Sequence, residues 1–226
     1  MKLSPSLLNW LLLICLIVLW GTSFMFTAIA VNTIDPISIV FYRVVIGALI
    51  LTLYLWIKKG KLPLTVKAWL IFLLMGFAGN LLPFFLIAWG QQTIDSGLAG
   101  MIMAIMPLIT MILAHYFIKG EILNRYKFAG FAFGISGVML LLGPVFNGSQ
   151  MELISAIAIL IAACSYAVNA ILVRFLPAFD PKVAGAGVLI AASVSLLPVW
   201  LLQHSTSWSQ ISNASILSLI WLGIGP

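Results

Sequence analysis

The first long apolar run of the chain is Leu7–Ala30, LLNWLLLICLIVLWGTSFMFTAIA, which contains no charged residue. A helix of this length rises about 1.5 Å per residue and can cross the hydrocarbon core of a bilayer, which is about 30 Å thick. The run is too long for the apolar region of a signal peptide, which spans about 7 to 15 residues. We therefore predict that Leu7–Ala30 is an uncleaved membrane-spanning helix.

Seven further apolar runs follow, and the composition of the chain points to the same class of protein. Of the 226 residues, 63% are hydrophobic and only 7% are charged, which is far from the composition of soluble domains. The runs are long and continuous, so helices are favoured over the short alternating strands of a membrane barrel. We predict an all-α membrane protein, a multi-span helical bundle. After the first run, the predicted helices are Ile37–Ile57, Ala68–Trp89, Gly97–Phe117, Phe128–Leu142, Leu153–Leu176, Val183–Leu202 and a last one that opens at Ile216.

Lysine and arginine residues mark one side of this predicted bundle. They occupy the second, fourth and sixth connections between the runs, and Lys2 precedes the first run, whereas the odd-numbered connections contain none. By the positive-inside rule, the amino terminus and the even-numbered connections are expected in the cytoplasm. Membrane topology therefore accounts for the net charge of +6 without a nucleic-acid partner. The basic residues of the connections are Lys58, Lys59, Lys61, Lys67, Lys119, Arg125, Lys127, Arg174 and Lys182.

Arg43 is the basic residue that breaks this rule, because it lies inside the second apolar run. It follows Pro36 at a distance that puts it roughly 10 Å into the membrane. A charge within a span costs about 2.5–3.5 kcal/mol on insertion scales and indicates a functional site. Two interpretations stay open. The side chain either reaches outward to the interface, or it points into the bundle and donates hydrogen bonds to a carboxylate group of a substrate.

The chain also contains a weak internal repeat. Trp20–Phe24, followed by Asp35-Pro36, is echoed by Cys164–Val168, followed by Asp180-Pro181. The copies are offset by five helices, an odd number, so the second copy enters the membrane from the opposite side. Inverted repeats are common in secondary transporters, which bind substrate near the midplane between the halves. The predicted repeats are residues 1–142, which hold helices one to five, and residues 151–226, which hold helix six to the start of helix eight.

Polar and aromatic residues near the centres of the runs are candidates for a substrate site. Trp20 and Tyr166 hold related positions in the two repeats, and polar side chains follow each of them on the same helical face. Core packing and substrate binding are both open for these rings. Arg43 has Val188 as its counterpart in the second repeat, so the charge marks an asymmetry. The candidate substrate-binding residues are Arg43, Trp20, Tyr166, Asn80, Asn169, Ser23 and Thr27. The candidate hinges are Pro83 and Pro107, which would free the carbonyls of Gly79 and Met103, and simple kinks are an equally open interpretation of both prolines.

Two further patterns favour structural roles at the fourth connection and in the fifth helix. Gly130, Gly134 and Gly137 form a stripe of small residues, which predicts that the fifth helix packs closely against its neighbours. Glu121 and Arg125 are four residues apart, which is the spacing of a surface ion pair at the cytoplasmic end.

The sequence does not favour catalysis or metal binding. Cys15 and Cys164 both lie inside apolar runs, so neither a disulfide nor a metal site is expected. No predicted span contains an acidic residue or a metal-ligand motif. We therefore predict no catalytic residue, no metal and no cofactor, and we regard an intramembrane enzyme as a weak alternative.

The order and spacing of several motifs resemble one family over nearly the whole chain. The motifs are Trp20–Phe24, Pro36 with Phe41–Arg43, Ser96–Ala99 followed by Pro107, Gly120-Glu121 and the glycine-rich run Gly130–Leu142. Together they resemble the EamA-type transporters of the drug/metabolite transporter superfamily. The resemblance implies ten helices in two inverted five-helix halves, a basic residue at the position of Arg43, and export of amino acids or other small polar metabolites.

The resemblance also sets expectations for the whole protein. This chain ends at the start of the eighth helix, so we expect it to be a fragment of a longer transporter. The expected location is the inner, or plasma, membrane, where the two halves would move by alternating access. The expected partners are a small-molecule substrate and the lipid bilayer, with a homodimer as a possible assembly. A non-transporting membrane scaffold or sensor is the alternative function.

Overall fold

The computed structural model describes residues 5–121, 124–146, 149–203 and 210–225, and every regular element in these ranges is helical. The helices are α1 (Pro5–Ala30), α2 (Pro36–Ile57), α3 (Val66–Gly90), α4 (Ser96–Phe117), α5 (Arg125–Phe146), α6 (Gln150–Leu172), α7 (Pro181–Gln203) and α8 (Asn213–Ile224). By length and composition, α1 to α4, α6 and α7 are able to cross a membrane. The predicted all-α, multi-span fold is therefore confirmed.

The helices connect at two ends that differ in charge. We call the end with the α2–α3, α4–α5 and α6–α7 connections the basic end, because lysine and arginine lie there. The connections at the opposite end contain no lysine or arginine, and in this sense we call it the neutral end. The four helices α2, α4, α6 and α8 begin at the neutral end. Each starts with a side-chain cap that satisfies an N–H group of its first turn. The caps are Asp35 to the Ser38 N–H, Asp95 to the Leu98 N–H, Ser149 to the Glu152 N–H and Ser212 to the Ser215 N–H.

Helix α3 contains a π-helical turn, Phe77–Leu81, immediately before Pro83. Within it the Leu82 N–H bonds to the Phe77 carbonyl, five residues earlier instead of four. In the same five-residue register, the Ala78 carbonyl would accept from the N–H of residue 83, but that residue is a proline and has no N–H. The Ala78 carbonyl instead accepts a 2.7 Å hydrogen bond from Ser165 Oγ on α6. The sequence predicted that Pro83 would free the Gly79 carbonyl. The π turn adds a second carbonyl to that expectation, since the side-chain donor of α6 binds Ala78, one residue before Gly79.

Helix α4 is interrupted at Ala104 and Ile105, just before Pro107. The Ala104 N–H is shared between the carbonyls of Gly100 and Met101, and the Ile105 N–H bonds to the Ile102 carbonyl, three residues earlier, so the helix tightens before it resumes at Met106. Both long helices that contain an internal proline near their middle are thus irregular at that point.

Close approaches at small residues hold the central helices together. Helix α2 packs along α7, α3 packs on α6 and α7, and α8 packs on α1 and α2. A Cβ atom added to Gly76 would lie 3.0 Å from the Val188 carbonyl oxygen, and one added to Gly223 would lie 2.6 Å from Ile46 Cβ. Any larger residue would force the helices apart at these points. Backbone-to-backbone packing of this kind is typical of helices in a bilayer.

Helix α5 lies at the side of the bundle, and its glycine stripe does less than the sequence predicted. A Cβ added to Gly134 would meet the Leu108 side chain at 3.1 Å, but one added to Gly130 or Gly137 would meet no described atom within 4 Å. The prediction of close packing along the whole stripe is therefore wrong for Gly130 and Gly137. Only Gly134 faces α4.

Substitutions at two of these glycines should change stability in opposite directions. In Gly130→Ala the methyl group meets no described neighbour and removes the flexibility of glycine, so the variant should gain about 0.5–1 kcal/mol. In Gly134→Leu the larger side chain overlaps Leu108, and the overpacking should cost about 1–3 kcal/mol. Unfolding temperatures of the two purified variants in one detergent test this. Shifts of the same sign would contradict the packing.

The ion pair at the α4–α5 connection has a different partner from the predicted one. Glu121 pairs with Lys127, with 3.4 Å between Oε2 and Nζ, and both side chains are exposed. Arg125 instead donates to the Tyr126 hydroxyl at 3.0 Å. The predicted Glu121–Arg125 spacing required a continuous helix, but α5 begins only at Arg125, so the four-residue rule does not apply.

Candidate functional site

A cavity of about 540 Å³ lies in the middle of the bundle, between α2, α3, α6 and α7, with contributions from α1 and α8. Most of its lining is aliphatic or glycine. The aromatic, amide and charged residues on its wall are Trp20, Arg43, Asn80, Phe84, Tyr166 and Asn169. A volume of this size suits a small metabolite. Five of the seven predicted substrate-binding residues thus line one cavity, although they come from four different helices.

Arg43 points into the bundle rather than to the interface, and its side chain is 9% exposed. Nη2 donates a 3.3 Å hydrogen bond to Ser23 Oγ on α1. Cζ lies 3.6 Å from the centre of the Phe84 ring on α3, which is a close cation–π contact. The guanidinium is therefore held between α1 and α3 at the wall of the cavity. Of the two orientations that the sequence left open, the structure has the inward one.

Aromatic rings form the wall next to Arg43. The rings of Trp20 and Tyr166 lie 6.1 Å apart at 40°, so the repeat-related pair meets across α1 and α6. Phe84 meets Tyr166 edge-on at 6.5 Å. These separations are typical of favourable aromatic contacts, and they present ring faces and edges beside the buried charge.

Two amides complete the polar part of the wall. Asn80 belongs to the π-helical turn of α3. Asn169 of α6 lies against Gly79, where an added Cβ would come within 2.9 Å of its side-chain carbon. The Asn169 Oδ1 atom is buried and accepts no hydrogen bond from any residue that the structure describes. The absence of a side chain at Gly79 is thus what lets the Asn169 amide reach this position.

Comparison with known proteins agrees with this architecture. Residues 8–143, more than half of the chain, match the model of the EamA-like transporter family. The chain belongs to the EamA-like transporter family. It is a member of a family of membrane transporters and not of enzymes.

Several known proteins are similar to this chain at low identity. The chain is 26% identical to the uncharacterized transporter YoaV of Bacillus subtilis, over 69% of this chain and 53% of YoaV. It is 27% identical to the uncharacterized inner membrane transporter YedA of Escherichia coli, over 82% of this chain and 59% of YedA. It is 26% identical to a probable amino-acid metabolite efflux pump of Salmonella typhimurium, over 93% of this chain and 71% of that protein. The chain thus spans only a little more than half the length of YoaV and YedA.

The fold of this chain also occurs among solved structures. One crystal structure superposes with a TM-score of 0.70, covering 94% of this chain and 72% of the other, at 20% identity. The likeness at this identity concerns the arrangement of helices. It agrees with the helical bundle described above.

The other predicted site residues lie around the central cavity or away from it. Ser23 lines a smaller cavity of about 140 Å³ that shares Arg43, Asn80 and Tyr166 with the central one. Thr27 is buried and does not line the central cavity. Pro83 is buried in α3, while Pro107 lines a separate groove near the basic end. The structure therefore brings neither Thr27 nor Pro107 to the central cavity.

Phe84 is the important residue that sequence reasoning missed. Its ring packs against the Arg43 guanidinium and meets the Tyr166 ring edge-on. Yet it is one of 14 phenylalanines in an apolar chain. The available signal was its position four residues after Asn80, which puts both on one face of α3. That signal becomes informative only once the face of α3 that meets the cavity is known.

Side-chain contacts join several helices at the neutral end. The indole of Trp200 on α7 stacks on Phe41 at 4.5 Å and meets Tyr42 edge-on at 5.7 Å, and its Nε1 donates to Ser38 Oγ at 3.1 Å. We call Ser38, Phe41, Tyr42 and Trp200 the aromatic clasp. Two hydroxyl pairs, Thr33 with Ser215 and Thr93 with Ser155, each at 2.8 Å, join further helices at the same end.

The central cavity lies on the basic-end side of the clasp, and no clasp residue is among its lining residues. Its lining includes Leu51 in the second half of α2 and Ala184 and Gly185 in the first turns of α7. Leu51 is closer to the basic end than Arg43 on α2, and Ala184 and Gly185 lie where α7 begins at the basic end. The clasp and the cavity thus occupy opposite halves of the α2–α7 interface.

Proposed function

We propose that this chain carries the substrate cavity of a secondary transporter that exports small polar metabolites with a carboxylate group, such as amino acids or related compounds. The observation that carries the proposal is the buried Arg43 at the wall of a cavity of about 540 Å³. Burial of a cation within a membrane span is costly, so the presence of Arg43 there favours a functional use. Family membership supports transport as that use.

The geometry around Arg43 suits a carboxylate. A guanidinium has five N–H donors in a rigid fork, so it can hold a carboxylate by two parallel bonds while Ser23 keeps its contact. The Phe84 ring fixes the plane of the fork, and the Trp20 and Tyr166 rings offer apolar surface to the rest of the substrate. Arg43, Asn80 and Asn169 are the proposed polar contacts, and Pro83 is a proposed hinge in α3.

The proposed mechanism is alternating access between two inverted halves, residues 1–142 and 151–226. The packing supports it, because α3 packs on α6 and α7 in the same way that α8 packs on α1 and α2. In this mechanism the described structure is closed at the neutral end by the aromatic clasp. Opening the clasp while the basic end closes would release the substrate at the neutral side.

The proposed orientation puts the amino terminus and the basic end in the cytoplasm of the cell, with the protein in the inner membrane. The distribution of lysine and arginine supports this orientation. The name of the relative YedA, an uncharacterized inner membrane transporter, supports the location. The name of the Salmonella typhimurium relative, a probable amino-acid metabolite efflux pump, supports outward transport of amino-acid metabolites. Export would then proceed from the basic end to the neutral end.

Efflux from cells tests the proposed function directly. Cells that overproduce the protein and are loaded with dipeptides should release the resulting amino acids several-fold faster than cells with an empty vector. A matched preparation in which the cells are loaded with a neutral polyol controls for membrane leakage. Equal release of amino acids by the two strains would argue for the scaffold or sensor alternative instead.

A further inference from the structure

Asn169 has a feature that Arg43 alone does not explain. Its Oδ1 atom is buried at the cavity wall and accepts no hydrogen bond from the described residues. A buried acceptor without a donor costs about 1–3 kcal/mol, so such atoms in proteins are usually satisfied by a partner. The adjacent Gly79 has no side chain, and a Cβ there would overlap this amide.

Two polar groups beside the aromatic rings of the wall differ in how they are satisfied. Ser23 stands three residues after Trp20, and Asn169 stands three residues after Tyr166, so each lies on the same helical face as a ring. Ser23 Oγ accepts its hydrogen bond from Arg43. Val188, which follows Pro181 by the same number of residues as Arg43 follows Pro36, lines the same cavity and has no side-chain donor. The protein thus supplies a donor to Ser23 Oγ, while Asn169 Oδ1 has none among the described residues.

We infer that the substrate supplies the missing donor, and that Asn169 selects carboxylates that carry an N–H or O–H group over those that do not. This inference rests on the proposed function, in which Arg43 holds the carboxylate. No Asp or Glu lines the described cavity, so the donor is received by a neutral oxygen and not by a counter-charge. A neutral acceptor takes an ammonium or a hydroxyl group. The shared chemistry is thus a hydrogen-bond donor on the same small molecule as the carboxylate.

Three probes that differ only in this donor test the inference. L-phenylalanine carries an ammonium group, L-3-phenyllactate carries a hydroxyl group, and 3-phenylpropionate carries neither, while all three have a carboxylate and a ring that suits the aromatic wall. Binding to the purified protein is measured by the quenching of tryptophan fluorescence, since Trp20 lines the cavity. The wild type should bind the two donor-bearing acids about tenfold more tightly than 3-phenylpropionate.

The variants separate this inference from the proposed function. Asn169→Leu has a similar volume but no acceptor, so it should bind all three probes within about twofold of one another. Asn169→Asp should favour phenylalanine over phenyllactate, because its charge attracts the ammonium, and so it distinguishes the two donors. Asn32→Leu removes an amide that is bonded to the Ala28 carbonyl near the neutral end, and it should behave as the wild type.

The outcomes are distinct. If Asn169→Leu keeps the tenfold preference, or if the wild type shows none, the inference about Asn169 is overturned. If Arg43→Gln binds all three probes as tightly as the wild type, the carboxylate site itself is wrong, and the proposed function fails with it. Gly79→Ala offers a second route, because its methyl group displaces the Asn169 amide and should weaken the same preference without removing the acceptor.

Discussion

Replacing Arg43 with glutamine should lower the export of carboxylate metabolites about 10- to 100-fold, while the amount of protein in the membrane stays the same. The expected loss is that of a charge-assisted hydrogen bond pair, worth about 1.5–3 kcal/mol. Glutamine can still donate to Ser23 and occupy the space above the Phe84 ring, so the helices around it should keep their places. The fork that holds a carboxylate is the part that is lost.

The measurement is the efflux of amino acids from dipeptide-loaded cells, normalised to the protein in the membrane fraction. Arg174→Gln is the matched control, because Arg174 is exposed in the α6–α7 connection at the basic end and should export normally. Arg43→Lys should recover part of the activity, since it restores the charge but not the two parallel bonds. Export by Arg43→Gln at the rate of the wild type would show that the buried cation has a structural role only.

Removing the indole of Trp200 should open the neutral end of the bundle. Trp200→Ala deletes a stacked contact with Phe41, an edge contact with Tyr42 and a hydrogen bond to Ser38. At about 1 kcal/mol each, their loss totals about 3 kcal/mol, which shifts a two-state equilibrium by roughly two orders of magnitude. The cavity should therefore become accessible from the neutral side.

Thiol labelling measures this opening. In a background where Cys15 and Cys164 are replaced by alanine, a cysteine at Asn80 reports on the cavity. A membrane-impermeant maleimide applied from outside the cell should label it at least tenfold faster in the Trp200→Ala variant. Trp221→Ala is the control, because that indole also has a ring partner, Phe26, and a hydrogen bond, to Thr22, but it lies outside the clasp. Similar rates in both variants would rule out the clasp as the closure of this end.

Much of the fold was predictable because it depends on local chemistry. The length of each apolar run, the Asp-Pro and Ser caps and the placement of lysine and arginine act within a few residues of one another. The first and last residues of the observed helices accordingly agree with the predicted ones to within a few residues. The predictions failed where the local register changes. The π turn makes the Ala78 carbonyl, which was not predicted, the acceptor of the Ser165 hydroxyl, and the late start of α5 moved the partner of Glu121 from Arg125 to Lys127.

The candidate site was only partly predictable. Trp20 and Tyr166 were proposed because of the repeat, and Arg43 because of the cost of a charge in lipid. Both signals can be read from the order of residues in the chain. Phe84 and the role of Gly79 were missed. Thr27 was predicted as a substrate-binding residue, but it is buried and does not line the central cavity. These spans are apolar on nearly all faces, so the pattern of hydrophobic residues does not tell which face of a helix meets its neighbours.

The chain alone thus specifies a helical membrane protein, the number and bounds of most spans, and a buried charge that requires an explanation. Those features follow from the free energy of moving each segment from water to lipid, which depends on the segment's own residues. The rotation of each helix about its axis depends instead on contacts such as Gly76 with Val188 and Gly223 with Ile46, which join residues far apart in the chain. That packing turns Arg43 onto Phe84 and into the cavity, and it brings Asn169 against Gly79 on the same wall.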